Sequence, residues 1–159
     1  GKTVKVTGNV RLSDLGLTKL PINFTEVGGS FYCSSNELTS LKGVPEKVGG
    51  GFACSFNNLS SLEGAPEQVG GSFYCYNNQL TSLEGAPSEV GFDFDCGNNQ
   101  LTTLVGSPKE VGGGFYCYEN KLTSLEGAPE KVGWHFDCSN NPLKSTKDKP
   151  EYIGGKFRE

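Results

Sequence analysis

Tyrosine and aspartate are the side chains of this sequence best placed to bind another molecule. Asp93 and Asp95 alternate along one segment, and two pairs of tyrosines stand 21 residues before and after that segment: Tyr74, Tyr76, Tyr116 and Tyr118. Tyrosine offers a large, rigid contact area with a hydroxyl group, which suits binding surfaces, and carboxylates attract arginine or lysine. The pattern predicts an acidic notch framed by four tyrosines, with a gap between two rings at Gly97.

The predicted partner-binding surface also includes the outward residues of the flanking segments. Its members are Tyr32, Tyr74, Tyr76, Asp93, Asp95, Tyr116, Tyr118, His135 and Asp137. An alternative interpretation is that the tyrosines are good strand formers that stack on their neighbours. A concentration of aromatic residues on one face exceeds what strand propensity requires, and this favours binding.

Catalysis finds little support in the sequence. His135 is the only histidine, and alternate residues of a strand are ~6.6 Å apart, so His135, Asp137 and Ser139 do not complete an acyl-transfer arrangement. Asp95 and Asp137 would lie two strands apart, ~9.6 Å, at the outer limit for a glycosidase pair. Phosphate-loop, zinc and calcium spacings are absent from the sequence. We therefore expect a protein that is not an enzyme and has no cofactor or metal.

The elements that position these residues are set by a repeat of 21 residues. Phenylalanine recurs at this interval, at positions 31, 52, 73, 94, 115, 136 and 157. Cysteine, asparagine, two leucines, proline and valine follow it in a fixed order. A fixed period of this length indicates a solenoid, in which each unit buries its apolar face against its neighbours.

One unit can be interpreted physically from Phe73 onwards. The alternation Phe-Tyr-Cys-Tyr predicts a short strand with Phe73 and Cys75 inward. Asn78 is placed to hydrogen-bond the backbone of adjacent turns, and two leucines fill the core. The segment that follows the second leucine leads the chain back to the next strand, and we call it the return path. Its Gly-Ala-Pro sequence excludes a helix, and its valine points into the core. Gly-Gly then reverses the chain into the next strand.

The six cysteines share one position of the repeat and should form a single column: Cys33, Cys54, Cys75, Cys96, Cys117 and Cys138. Side chains stacked in this way point in the same direction, so we expect buried free thiols; disulfides and a metal column are the alternatives. Six unpaired thiols favour a reducing compartment and hence a cytoplasmic location.

Phe92 and Trp134 replace the second glycine of alternate units, with Gly113 between them. Both share the inward parity of the neighbouring phenylalanines, so the alternation of large and small residues predicts packing between turns. Contact with a partner is the alternative.

The repeat resembles the leucine-rich repeat family, in particular the short bacterial class found in secreted effectors. The residues that carry the resemblance are Leu80-Thr81-Ser82-Leu83, Pro87, Val90, Phe94, Cys96, Asn99 and Leu101. The Leu-Glu-Gly-Ala-Pro and Val-Gly-Gly stretches are also similar to repeat proteins encoded by tailed bacteriophages. The departures are Phe and Cys in the strand, and Gly-Ala-Pro in place of Pro.

The resemblance implies a mainly β or irregular solenoid with a parallel sheet on the concave face and little or no helix on the convex side. We expect a single solenoid over residues 1–159: a divergent N-terminal unit (1–30), regular repeats (31–141) and a degenerate C-terminal unit (142–159). The resemblance implies protein binding rather than catalysis; the phage resemblance extends this to binding or inhibiting a bacterial host protein in the host cytoplasm.

Bulk properties narrow the range of partners. The net charge of −4 disfavours nonspecific nucleic-acid binding, and no apolar run approaches the ~20 residues of a membrane span.

Two alternatives to a protein-binding module remain: small-ligand or glycan recognition in the Tyr/Asp notch, and a structural repeat fragment of a larger effector. We expect a monomer or a weak end-to-end dimer that forms through the C-terminal edge strand.

Overall fold

Two parallel β-sheets of eight strands each form the solenoid in the computed structural model, which describes residues 2–159. The sheet built on the phenylalanines, here called the Phe sheet, contains β2 (Val10–Arg11), β4 (Phe31–Tyr32), β6 (Phe52–Ala53), β8 (Phe73–Tyr74), β10 (Phe94–Asp95), β12 (Phe115–Tyr116), β14 (Phe136–Asp137) and β16 (Phe157–Arg158). The sheet built on the valines, the Val sheet, contains β1 (Thr3–Val6), β3 (Asn23–Val27), β5 (Lys47–Val48), β7 (Gln68–Val69), β9 (Glu89–Val90), β11 (Glu110–Val111), β13 (Lys131–Val132) and β15 (Tyr152–Ile153). No helix occurs in residues 2–159.

The register of both sheets confirms the 21-residue unit. In the Phe sheet, Phe94 pairs with Phe73 on one side and Phe115 on the other. In the Val sheet, Val111 pairs with Val90 and Val132. Each strand is so short that it depends on the turns above and below it for its hydrogen bonds.

The core lies between the two sheets and the leucine-bearing connection. Phe, Cys and both leucines of the regular units are fully buried, as the alternation predicted. The phenylalanine rings stack along the solenoid, with centroids 5.2 Å apart between Phe73 and Phe94 and 5.4 Å apart between Phe94 and Phe115. Stacked aromatic pairs add ~0.5–1.5 kcal/mol beyond the burial of their surface.

The asparagine column connects successive turns, also as predicted. Asn99 Nδ2 donates to the carbonyl of Cys75 in the previous turn (3.2 Å) and to that of Cys96 in its own turn (3.0 Å). Its Oδ1 accepts the N–H of Leu80 at 3.0 Å. One buried side chain thereby satisfies backbone groups that the sheet ladders do not reach.

The second sheet was not predicted. The sequence indicated that valine docks the return path inward, and Val90 and Val111 are indeed buried. Glu110, the residue before Val111, also pairs with its counterparts Glu89 and Lys131 in adjacent turns, so the return path becomes a parallel ladder. Tight stacking makes this possible, since a Cβ atom on Gly112 would overlap the carbonyl oxygen of Gly91.

The predicted packing of Phe92 and Trp134 is wrong. Their side chains are 63% and 57% exposed. The strand alternation does not extend to them, because only three residues (91–93) join β9 to β10 and the chain bends there before the strand begins. The inward direction of Phe92, which we inferred from its spacing of two residues from the buried Phe94, therefore does not hold at the corner between the two sheets.

The cysteine column agrees with expectation, and the C-terminal unit continues both sheets. All six cysteines are buried free thiols. Despite the charged residues that precede it, the last unit returns to register, with Phe157 paired to Phe136 and Ile153 to Val132.

Candidate partner-binding face

The outward surface of the Phe sheet carries the residues predicted to bind a partner, and we call it the tyrosine face. It comprises Tyr32, Tyr74, Tyr76, Asp93, Asp95, Tyr116, Tyr118, His135 and Asp137. Tyr74 and Tyr76 alternate with the buried Phe73 and Cys75, so their rings stand on the side of the sheet opposite the core. The alternation within each short strand determines this placement.

Asp95 lies at the centre of the tyrosine face. The register pairs it with Tyr74 on β8 and Tyr116 on β12, so one carboxylate stands between two tyrosines. Tyr74 also makes an edge-to-face contact with Tyr76, with ring centroids 6.4 Å apart.

The predicted gap at Gly97 is not open. A Cβ atom on Gly97 would overlap the ring of Tyr118, which therefore leans from its own strand across the neighbouring one. The ring of Tyr116 similarly lies over Gly114, next to Asp93. Small residues let the rings of larger neighbours fold down onto the sheet, so the notch is a shallow, ring-covered site rather than a cleft.

Asp95 is largely removed from water, and the Tyr118 side chain contacts its carboxylate. Burial raises the pKa of Asp95 to about 6, and the carboxylates of Asp93 and Asp137 add to the rise. Hydrogen bonds from the Gly97 N–H (2.9 Å) and from the Tyr118 side chain act in the opposite direction. Burial, with the charge of Asp95, also raises the pKa of Tyr118 to about 12, so that hydroxyl remains a donor.

Asp93 and His135 also hold neighbouring turns together. Asp93 Oδ1 accepts the N–H of Gly114 at 2.7 Å, and His135 Nδ1 accepts the N–H of Lys156 at 2.8 Å. Ser30 and Ser72 occupy the same position and accept the equivalent hydrogen bond. This column therefore has a structural role, whatever else its members contact.

The arrangement of His135, Asp137 and Ser139 does not resemble a catalytic triad. Asp137 Oδ1 accepts hydrogen bonds from the Ser139 hydroxyl (2.6 Å) and N–H (3.0 Å). Asp137 Oδ2 lies 3.7 Å from Arg158 Nη1. Because the acceptor nitrogen of His135 is occupied by the Lys156 N–H, it does not activate the serine.

Phe56 is an exposed aromatic residue that our sequence-based site left out. It is 51% exposed and packs edge-on against Tyr76, with centroids 5.3 Å apart. Its φ of 54° lies in the left-handed region, where asparagine is favoured and bulky residues are rare. The sequence contained a signal for this exposed position, since the same repeat position carries asparagine at 77, 98 and 140 and phenylalanine only at 56.

Phe92 and Trp134 extend the exposed aromatic surface to the corner between the two sheets. Trp134 stacks on His135 with centroids 4.6 Å apart. Phe92 directly precedes Asp93. The tyrosine face therefore has an aromatic border on this side.

A depression of the surface lies elsewhere, over the Val sheet. It has a volume of about 940 Å³ and is lined by the exposed backbone of the corner glycines and by glutamate and lysine side chains such as Glu89 and Lys131. We give the tyrosine face more weight, because no aromatic side chain in residues 2–159 lines the depression.

Over residues 2–159, no helix could cross a membrane, and no cluster of three or more His, Cys, Asp or Glu side chains could hold a metal ion. Comparison with known proteins identifies no relative: no protein-family model matches the chain, and neither the curated proteins nor the solved structures include a significant match.

Proposed function

We propose that this protein is a non-catalytic protein-binding module and that the tyrosine face is its binding surface. The observation that carries the proposal is the presence of exposed aromatic residues on both sides of the central carboxylates: Phe56 packs on Tyr76, and Phe92 and Trp134 border the opposite side. Soluble proteins rarely expose such patches without a partner, and aromatic residues dominate the energetics of protein interfaces.

Membership of the leucine-rich repeats is part of the proposal. The buried leucine pairs, the asparagine column and the parallel Phe sheet support it, whereas the Val sheet departs from the expected irregular return path. The resemblance to phage-encoded repeats extends the proposal to a bacterial host protein as partner. Six unpaired cysteines support a reducing, cytoplasmic setting.

An affinity capture with three baits tests the proposal. The first bait is the parent chain, and the second carries Tyr74→Ala, Asp95→Ala and Tyr116→Ala. The third is a matched control with three outward substitutions on the Val sheet: Lys47→Ala, Gln68→Ala and Glu89→Ala. Circular dichroism establishes that all three baits are folded before they are exposed to bacterial lysate.

We expect a protein that the parent and the Val-sheet variant capture and that the tyrosine-face variant loses. The captured protein is then purified and its affinity for each bait measured. Capture by all three baits would place the site off the tyrosine face. Capture by none would contradict a protein partner and favour a small ligand or glycan, which would raise the unfolding midpoint of the parent.

A further inference from the structure

The central column of the tyrosine face has a regular distribution of charge. In register from one end to the other it contains Arg11, Tyr32, Ala53, Tyr74, Asp95, Tyr116, Asp137 and Arg158. Guanidinium groups occupy the two ends, one carboxylate (Asp95) lies near the middle, and the other (Asp137) lies next to Arg158. The column thus contains guanidinium groups together with two kinds of group that attract them, tyrosine rings and carboxylates.

At both ends, an arginine of the chain itself occupies this surface. Arg11 lies over the ring of Tyr32, with Cζ 5.2 Å from the ring centroid. Arg158 lies beside Asp137, with 3.7 Å between Nη1 and Oδ2. The same column therefore accepts a guanidinium on a tyrosine ring at one end and on a carboxylate at the other.

The centre of the column contains both kinds of group that an arginine contacts, tyrosine rings and a carboxylate, but no cationic side chain in the described part of the chain pairs with them. Asp95 stands between Tyr74 and Tyr116, and neither Asp93 nor Asp95 forms an ion pair with any residue between 2 and 159. Neighbouring strands are ~4.8 Å apart, so a cation that binds the Asp95 carboxylate has a tyrosine-bearing strand on each side.

The partial burial of Asp95 makes a cation the fitting occupant. The carboxylate is largely removed from water, which raises its pKa, and Asp93 adds a second negative charge near it. A cation replaces the lost solvation, whereas a neutral group does not. Arginine suits the site better than lysine, because its guanidinium is planar, weakly hydrated and able to stack on rings while it binds a carboxylate.

We propose that the Tyr74–Asp95–Tyr116 site binds the guanidinium of an arginine side chain carried by the partner protein. This inference rests on the proposed function and specifies the chemistry that the partner must present. It also predicts that the partner's arginine is required for recognition and that its replacement by lysine weakens binding.

A titration with small probes tests the site without the partner. The probes are N-acetyl-arginine amide, its neutral isostere N-acetyl-citrulline amide, N-acetyl-lysine amide and free arginine, followed by backbone amide NMR shifts of the whole chain. We expect saturable millimolar binding of the blocked arginine, with shifts confined to residues 73–76, 93–98 and 114–118. Lysine should bind more weakly and citrulline should not bind.

Two variants that each remove one negative charge distinguish binding at the Asp95 site from a general effect of the net charge of the protein. Asp95→Asn removes the central carboxylate but keeps its shape, and we expect it to weaken the binding of blocked arginine about tenfold or more. Glu89→Gln removes an exposed carboxylate of the Val sheet, and we expect no change in binding.

Equal binding of citrulline, or unchanged binding in Asp95→Asn, would overturn the inference. Binding of free arginine but not of the blocked form would identify a small-molecule ligand instead of a protein side chain. If a partner is captured through the tyrosine face but blocked arginine causes no NMR shifts, the arginine inference is overturned and the proposed function stands. Failure of the capture experiment with an intact arginine response would count against the proposed function.

Discussion

At the residue scale, the asparagine column shows how one side chain can stabilise several backbone groups at once. Asn99 is almost fully buried, and its amide bonds the carbonyls of Cys75 and Cys96 and the N–H of Leu80. A buried polar group left without a partner costs about 1–3 kcal/mol, so the column is sensitive to the loss of any one member.

We predict that Asn99→Ala lowers the free energy of unfolding by about 3 kcal/mol, because several buried groups lose their partner together. Urea unfolding followed by circular dichroism measures the change. Gln100→Ala is the control, since the neighbouring side chain is exposed and should change stability by less than ~0.5 kcal/mol. Equal midpoints for the two variants would contradict the assigned role.

Asp95 illustrates the opposite case, a residue whose charge opposes folding. Its pKa is about 6 in the folded protein, above its ordinary value, so the folded state holds the proton more tightly than the unfolded chain. Stability therefore falls as the pH rises from about 4 through 6, and the destabilisation is complete above the folded pKa.

We predict that Asp95→Asn stabilises the protein by about 1–2 kcal/mol at pH 7.5, with a gain that disappears near pH 4. The asparagine keeps an oxygen for the Gly97 N–H and the Tyr118 side chain. Unfolding of parent and variant across this pH range measures the difference. A gain that does not depend on pH would show that charge is not its cause; Glu89→Gln, on the exposed Val sheet, serves as the control.

At the scale of the element, the strands depend on close stacking at the corner between the sheets. A Cβ atom on Gly112 would overlap the carbonyl oxygen of Gly91 in the previous turn. The same contact recurs along the solenoid, so any side chain there forces two turns apart. A Cβ atom on Gly8, in the first turn, would meet nothing within 4 Å.

We predict that Gly112→Ala destabilises the protein by roughly 2–4 kcal/mol, because the added methyl group collides with backbone that cannot move alone. Gly8→Ala should be neutral or slightly stabilising, since it meets no atom and restricts the unfolded chain. Thermal unfolding of both variants provides the comparison. Similar losses in the two would mean that the corner is looser than the stacking indicates.

At the scale of the whole molecule, each turn contacts only its neighbours, so the solenoid should open from its ends. The six buried thiols provide one reporter in each of six successive turns. Burial raises the pKa of Cys33 to about 12 and that of Cys138 to about 11, and it raises those of the four central thiols well above the ordinary value. The native thiols are therefore protonated and unreactive at neutral pH.

We predict that a thiol reagent labels Cys138 and Cys33 sooner than Cys75 and Cys96 under native conditions, because the terminal turns open more often. Peptide mass spectrometry after timed labelling resolves the six sites, and unfolded protein gives their intrinsic rates as the reference. One common rate for all six would contradict opening from the ends and indicate a single cooperative unit.

The sequence by itself determined the period, the core columns and the outward residues of the Phe strands. It could do so because a parallel register of 21 residues stacks like positions on like, and because alternation within a strand separates Phe94 and Cys96 from Asp95. The hydrogen bonds of the asparagine column followed from the same stacking.

Only the tertiary structure decided how the surface is arranged. The corner at residues 91–93 interrupts the alternation, so Phe92 is exposed although its parity predicted burial. The ring of Tyr118 closes the gap at Gly97 because a side chain leans towards its smallest neighbour, which lies a whole turn away in the sequence. The Val sheet forms because adjacent return paths come close enough to pair, a distance that depends on the stacking of all the turns together.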